Sequence, residues 1–272
     1  MRRSENWDTQ NRRRDPRTAS KEPIALGREL GAGEGAFYFE RDGRVVVRAN
    51  DEESVLRYLI REIRGFIFQR TVGELHVHAG AVSLQGVGIM LPGESRSGKS
   101  TLTVALLSEG CQYLSDDLAV VKRGTFEIMP TTKAPSLRRP TYALFPEFRD
   151  SLLARTCRRL PDAEEKAALP IEMVGEGVLS APSPLGLIVF PHFREGSELR
   201  WQSLGPATAV GRLLRLCHNS RWNTGELIDL AIAVVHSADC FALAFGDVHH
   251  AAAWIVQAGR GASVQRSQDK TR

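Results

Sequence analysis

Nowhere does the sequence run eighteen apolar residues in a row, so the length that a membrane-crossing helix needs is missing. No apolar stretch follows the arginines at the N-terminus, so a secretory leader is not expected there and the cytoplasm is the expected compartment. Cysteine is scarce. Cys111, Cys157, Cys217 and Cys240 stand far apart without a C-x-x-C pair, which argues for reduced core thiols and against a disulfide framework or a zinc site. Excess charge is small as well. The formal net charge is +4, and most of it lies in residues 1–23, where Arg2, Arg3, Arg12, Arg13, Arg14, Arg17 and Lys21 outnumber Glu5, Asp8, Asp15 and Glu22. That stretch lacks apolar periodicity and reads as a disordered, solvated basic tail. The remaining body is nearly neutral, which argues against a dedicated nucleic-acid binder. Internal repeats and low-complexity segments are absent too.

What is present suits a globular protein. Of 272 residues, 42% are hydrophobic and 25% charged, enough to build one large domain or two small ones. Residues 36–48 (AFYFERDGRVVVR) predict a hairpin turning at Asp42-Gly43. Asn50 and Glu53 form a capping box ahead of a helix whose apolar face runs from Val55 to Ile67. These make a small N-terminal region, 24–72. A larger domain, 73–262, and a polar tail, 263–272, follow. In the larger domain strands are expected at 75–84, 86–91, 112–122 (broken by two aspartates), 126–130, 185–191 and 240–246. Helices are expected at 99–110, 206–218, 224–238 and 247–259, the last capped by Asp247, with one more around Phe148–Leu160 in a proline-punctuated stretch. The alternation makes an α/β fold.

The chemistry concentrates in LPGESRSGKS, residues 91–100, which holds G-x-x-x-x-G-K-S from Gly93 to Ser100. Four matched positions arise by chance in about one chain per hundred of this length. Here the pattern also follows an apolar strand and opens an apolar-faced helix, the context that a phosphate loop requires. Gly93 and Gly98 let the backbone turn its N–H groups inward along Glu94, Ser95, Arg96 and Ser97. The helix that begins at Lys99, Ser100 and Thr101 adds its positive end. Lys99 would reach the outer phosphates and the Ser100 hydroxyl a magnesium ion. Arg96 occupies a free position with its side chain toward water. Two further features flank the loop: His78 in HVHAG before it, and Asp116-Asp117 in SDD after its helix. On a strand, neighbouring aspartates face opposite sides, so one would suit the metal and the other an incoming nucleophile. A turn or N-cap pair explains them equally well.

With loop, histidine and aspartates in place, the stretch 74–122 resembles the catalytic domain of the HPr serine kinase/phosphorylase family. His78 lies 21 residues before Lys99 and Asp117 lies 18 after it. The resemblance implies a P-loop fold related to phosphoenolpyruvate carboxykinase, with a mixed sheet and flanking helices. It implies ATP and Mg²⁺ as cofactors, held by Lys99 and Ser100, with Asp116 helping the metal. Asp117 would be the general base, His78 would lie beside the transferring phosphate, and the acceptor would be a serine or threonine hydroxyl of a protein or peptide. A homo-oligomer is a possible state, since members of that family often assemble. One departure matters. The family's E-x-R-G-x-G segment is replaced by TTKAPSLRRPTYALF, without a carboxylate, so kinase activity without phosphorylase activity is expected. Competing readings are a small-metabolite kinase and a nucleotide sensor that transfers nothing.

Other residues draw blander readings. His76 shares a strand face with His78 and is expected to pack. Arg138 and Arg139 are loop arginines with solvation as the first expectation and phosphate or acceptor contact as the second. His249 and His250 lack metal-ligand spacing, and Trp201, Trp222 and Trp254 are expected in the core or an interface.

Overall fold

The computed structural model describes residues 25–29, 36–41, 44–49, 55–56, 58–59, 74–131, 133–154, 165–174, 178–219 and 223–269. The basic tail, the Asn50–Glu53 capping box, Cys157 and Trp222 lie outside them. The chain divides into two compact units, Met1–Arg70 and Thr71–Arg272.

In the first unit, β1 (Ala25–Glu29), β2 (Ala36–Arg41) and β3 (Arg44–Ala49) form an antiparallel sheet in that order. The expected hairpin is β2–β3, with Arg41 opposite Arg44 on either side of Asp42-Gly43. Val55 and Leu56, and then Tyr58 and Leu59, are helical as expected. Phe39 and Val55 are buried, and the rings of Phe39 and Tyr58 lie 6.1 Å apart.

The second unit is built on a mixed sheet, the arrangement that the family resemblance implies. Its strands are β4 (Glu74–Val77), β5 (Ala79–Leu84), β6 (Val87–Pro92), β7 (Gln112–Ser115), β8 (Ala119–Lys122), β9 (Glu127–Met129), β12 (Ser183–Phe193), β13 (Arg200–Ser203) and β14 (Asp239–Phe245). A separate short pair, β10 (Ser136–Arg138) and β11 (Lys166–Ala168), stands apart from it. Along the sheet the order is β4-β8-β9-β12-β6-β5-β7, and β14 joins β12 to β13. β6, β12 and β14 run parallel; β5 lies between β6 and β7 and is antiparallel to both.

Helices cover both faces, so the central strands read as continuous apolar runs. Ile89 and Leu91 of β6 point to one face, where Leu102 and Leu106 of α1 (Lys99–Ser108) and Ile255 of α5 (Val248–Asp269) meet them. Met90, between them, points to the other face, against Leu213 of α3 (Pro206–Leu214) and Val234 of α4 (Thr224–His236). This alternation is the period of two that a strand imposes. Burying each such side chain contributes about 1.5–3 kcal/mol.

Three expectations change, and one strand is new. The predicted strand at 75–84 is two strands, because the chain bends at His78: its N–H donates to the Leu216 carbonyl at 2.7 Å and its own carbonyl accepts from Gly93 N–H at 3.2 Å. The predicted helix around Phe148–Leu160 forms as α2 over Arg149–Ala154, with 155–164 outside the described residues. α5 begins as expected, with Asp247 accepting from the His249 and His250 N–H groups at 2.8 and 3.1 Å, but it continues to Asp269 into the expected tail. Strand β13, whose side chains are polar or solvent-facing, gave no apolar signal.

Candidate active site

Strand β6 is buried throughout and delivers the chain directly to Gly93. The loop from Gly93 to Gly98 then crosses to α1. Its conformation depends on Gly98, which has φ 95° and whose added Cβ would sit 2.9 Å from the Phe245 ring. A side chain there is excluded both by backbone geometry and by space. The end of β12 braces the loop: Phe193 N–H donates to the Ser97 carbonyl at 3.1 Å. Glu94, Ser95 and Arg96 are exposed, with Arg96 at φ 71°. Lys99 is buried and donates to the Glu94 carbonyl at 2.6 Å, so its ammonium is tied to the loop's own backbone. Burial lowers the Lys99 pKa, against the pull of Asp116 and Asp117. Ser97 Oγ is buried without a hydrogen-bond partner. Ser100 and Thr101 stand in the first turn of α1, where backbone N–H groups lack helical acceptors.

The two aspartates follow β7 in a bend rather than lying on the strand, and the bend gives them different surroundings. Asp116 is 2% exposed. It accepts from Ser100 Oγ at 2.9 and 3.0 Å and from Ser136 N–H at 3.2 Å. Burial pushes its carboxyl pKa up, and Lys133, Ser100 and Ser136 oppose this only in part. A buried carboxylate short of cationic partners favours a cation beside it. Ser100 and Asp116 thus offer oxygen donors of the kind a magnesium ion would take. No group of three or more His, Cys, Asp or Glu side chains among the described residues is arranged for a metal by itself.

Asp117 sits at φ 74°, a left-handed conformation that aspartate tolerates better than most residues. Its carboxylate is half exposed. Lys133 Nζ is on Oδ2, and His78 Nδ1 is 3.3 Å from Oδ1 and 2.9 Å from the Asp117 carbonyl. Both atoms facing that nitrogen are acceptors, so Nδ1 carries the ring proton and donates it. Burial would raise the Asp117 pKa, but the Lys133 charge and hydrogen bond, with His78 and Lys99, hold it below the usual carboxylate range. Burial, and then the Lys99 charge, lower the His78 pKa, which keeps the ring neutral.

The expected site residues thus converge on the end of β6 and the start of α1. Lys133 was not foreseen, because a single lysine among threonine, alanine and proline carries no local signal. His218 is also new; its ring stacks edge-on against His78 at 5.8 Å. Arg138 reaches back to Ser95 Oγ at 3.4 Å, whereas Arg139 pairs with Glu165. His76 does not share the surroundings of His78. It is buried, its N–H donates to Asn219 Oδ1 at 2.8 Å, and its ring meets Glu74 at 3.5 Å. His249 meets the Leu144 carbonyl at 3.2 Å, and Trp201 packs with Phe241 and Trp254.

A scan against known protein families finds none that matches the chain. A 58-residue segment, 21% of the chain, is 36% identical to a protein of Oceanobacillus iheyensis provisionally named HPr kinase/phosphorylase 2, and it spans 19% of that protein's length. Among solved structures, the HPr(Ser) kinase/phosphatase from Coxiella burnetii aligns over 71% of this chain and 98% of its own, at 12% identity and a TM-score of 0.35.

Proposed function

We propose that the chain is a kinase of the HPr kinase type, using ATP and Mg²⁺ to phosphorylate a serine or threonine hydroxyl of a protein or peptide. The observation that carries this reading is Asp117: a half-exposed carboxylate with Lys133 on one oxygen and the His78 ring 3.3 Å from the other. A pure nucleotide sensor needs no such base. The 58-residue similarity to a protein named as an HPr kinase/phosphorylase points the same way.

Bound magnesium nucleotide supplies the phosphoryl group and the metal's charge neutralisation. The protein's own residues do the rest. Ser100 and Asp116 would hold the metal, and Lys99, now bonded to the Glu94 carbonyl, would turn to the phosphate oxygens. First-turn N–H groups of α1 stabilise the negative charge. A serine hydroxyl is a weak nucleophile at neutral pH, so Asp117 accepts its proton as oxygen attacks phosphorus. The new O–P bond forms as the bond to the nucleoside diphosphate breaks, and that leaving group keeps the electron pair. Phosphate charge competes with Asp117 for Lys133; once Lys133 turns to the phosphates, the carboxylate becomes a better proton acceptor.

Asp117→Asn tests the proposal. Nucleotide binding by calorimetry stays intact, and transfer of labelled phosphate to lysate protein falls about 10²–10⁴-fold. Unchanged transfer would remove Asp117 from the chemistry; label appearing only on small molecules would assign a metabolite acceptor. The stretch from Thr131 to Phe145 offers no carboxylate for phosphorolysis. Phosphorylated product incubated with enzyme and inorganic phosphate is therefore expected to release no pyrophosphate.

A further inference from the structure

A cavity of 720 Å³ opens on the other flank of the glycine loop, lined by Gly93, Glu94 and Ser97 and by residues of β12, β13, β14 and α3. Its charge is one-sided. Arg200, Arg212 and Arg215 face it, against the single carboxylate of Glu94. Arg200 pairs with Glu198 at 3.3 Å. Arg212 lies over the Phe190 ring at 5.8 Å. Neither Arg212 nor Arg215 meets a carboxylate among the described residues.

We propose that this cavity docks an acidic segment of the phosphoacceptor polypeptide, with Arg212 and Arg215 gripping its carboxylates. The proposal rests on the kinase reading for the identity of its occupant. Three observations select that occupant. A nucleobase is uncharged and does not call for several guanidinium groups, whereas carboxylates do. The cavity is continuous with β13, whose four residues are all exposed and which pairs on one side only, with β14, among the described residues. Such an edge accepts an extended chain by main-chain hydrogen bonds. Finally, the cavity adjoins the acid cluster through one residue. His78 bonds by its backbone to Leu216 and Gly93, which line the cavity, and by its ring to Asp117. A chain anchored by its acidic residues therefore places a neighbouring serine within a few residues' reach of Asp117.

The test uses the full chain and two fluorescent serine peptides, one flanked by glutamates and one by lysines, read by anisotropy at low and high salt. Binding of magnesium ADP is followed separately by calorimetry. The glutamate peptide is expected to bind and to weaken with salt. Its affinity should fall about tenfold in Arg212→Ala/Arg215→Ala, with ADP affinity unchanged. Arg215→Ala alone, at an exposed position, covers the case in which losing the Arg212–Phe190 contact disturbs folding; a several-fold loss is expected there. Equal binding of both peptides, or no effect of either variant, overturns the proposal. So does competition by free glutamate as effective as the peptide, which would make the cavity a small-acid site, or a loss confined to ADP, which would give it to the nucleotide. Peptide binding as expected with no transfer to any acceptor leaves the docking site standing and defeats the kinase reading instead.

Discussion

The glycine loop has two flanks that differ in almost every respect. Toward β5 and β7 the polar groups are bonded to one another: Ser100 to Asp116, and His78 and Lys133 to Asp117. Toward β12, β14 and β13 the loop faces open space bordered by guanidinium groups. The first flank resembles machinery at rest, each group held by a neighbour that can be exchanged for a reactant. The second holds charge in reserve. The difference teaches that geometry and recognition are separable here. On the kinase reading, bond-making would depend on a closed network of fixed contacts, and selection of the acceptor on unspent charge.

The sharpest way to break that comparison is to exchange the outcomes of the two flanks. Asp117→Asn should act on the chemical step, by about 10²–10⁴-fold, whereas Arg215→Ala should act on the acceptor concentration required and spare the rate at saturation. Equal effects of both on saturated rate would erase the distinction. Next in size is a packing change beneath the acid flank. A Cβ at Gly80 would lie 2.4 Å from Thr103 Oγ1, itself buried without a partner. Gly80→Ala should therefore cost about 1–3 kcal/mol in urea unfolding. Thr103→Ala in the same chain should recover most of it, because it removes the obstructing hydroxyl. The smallest effect concerns pH. Lys133 depresses the Asp117 pKa, and a general base works only when deprotonated. Lys133→Ala should raise that pKa and move the acidic limb of the kcat/KM profile to higher pH. A limb that stays in place would mean that another group sets it.

Most of this fold was legible because its signals are local. The β2–β3 hairpin declared itself through Asp42-Gly43, β6 and α1 through apolar runs around the glycine motif, and α5 through its Asp247 cap. What stayed hidden depends on distant contacts. The break at His78 comes from bonds to Leu216 and Gly93, and only the latter is near in sequence. β13 is exposed, so no hydrophobic pattern marks it. The short β10–β11 pair joins residues about 30 positions apart across a stretch without clear periodicity. In the site, the loop and the aspartates were readable from spacing. The different surroundings of Asp116 and Asp117 were expected from strand alternation, whereas a left-handed residue in a bend produces them.

Among the described residues strand β13 pairs only with β14, so its other border offers a row of main-chain donors and acceptors to which an extended chain, including another copy of this one, could add. The protein keeps that border to four residues and opens it with the Arg200–Glu198 couple. On the docking reading, charge would work as a gatekeeper on an otherwise indiscriminate seam. Raising ionic strength would weaken that gatekeeper and leave the seam's main-chain hydrogen bonds, so edge-to-edge stacking is expected to be easiest under the conditions that blunt selective docking.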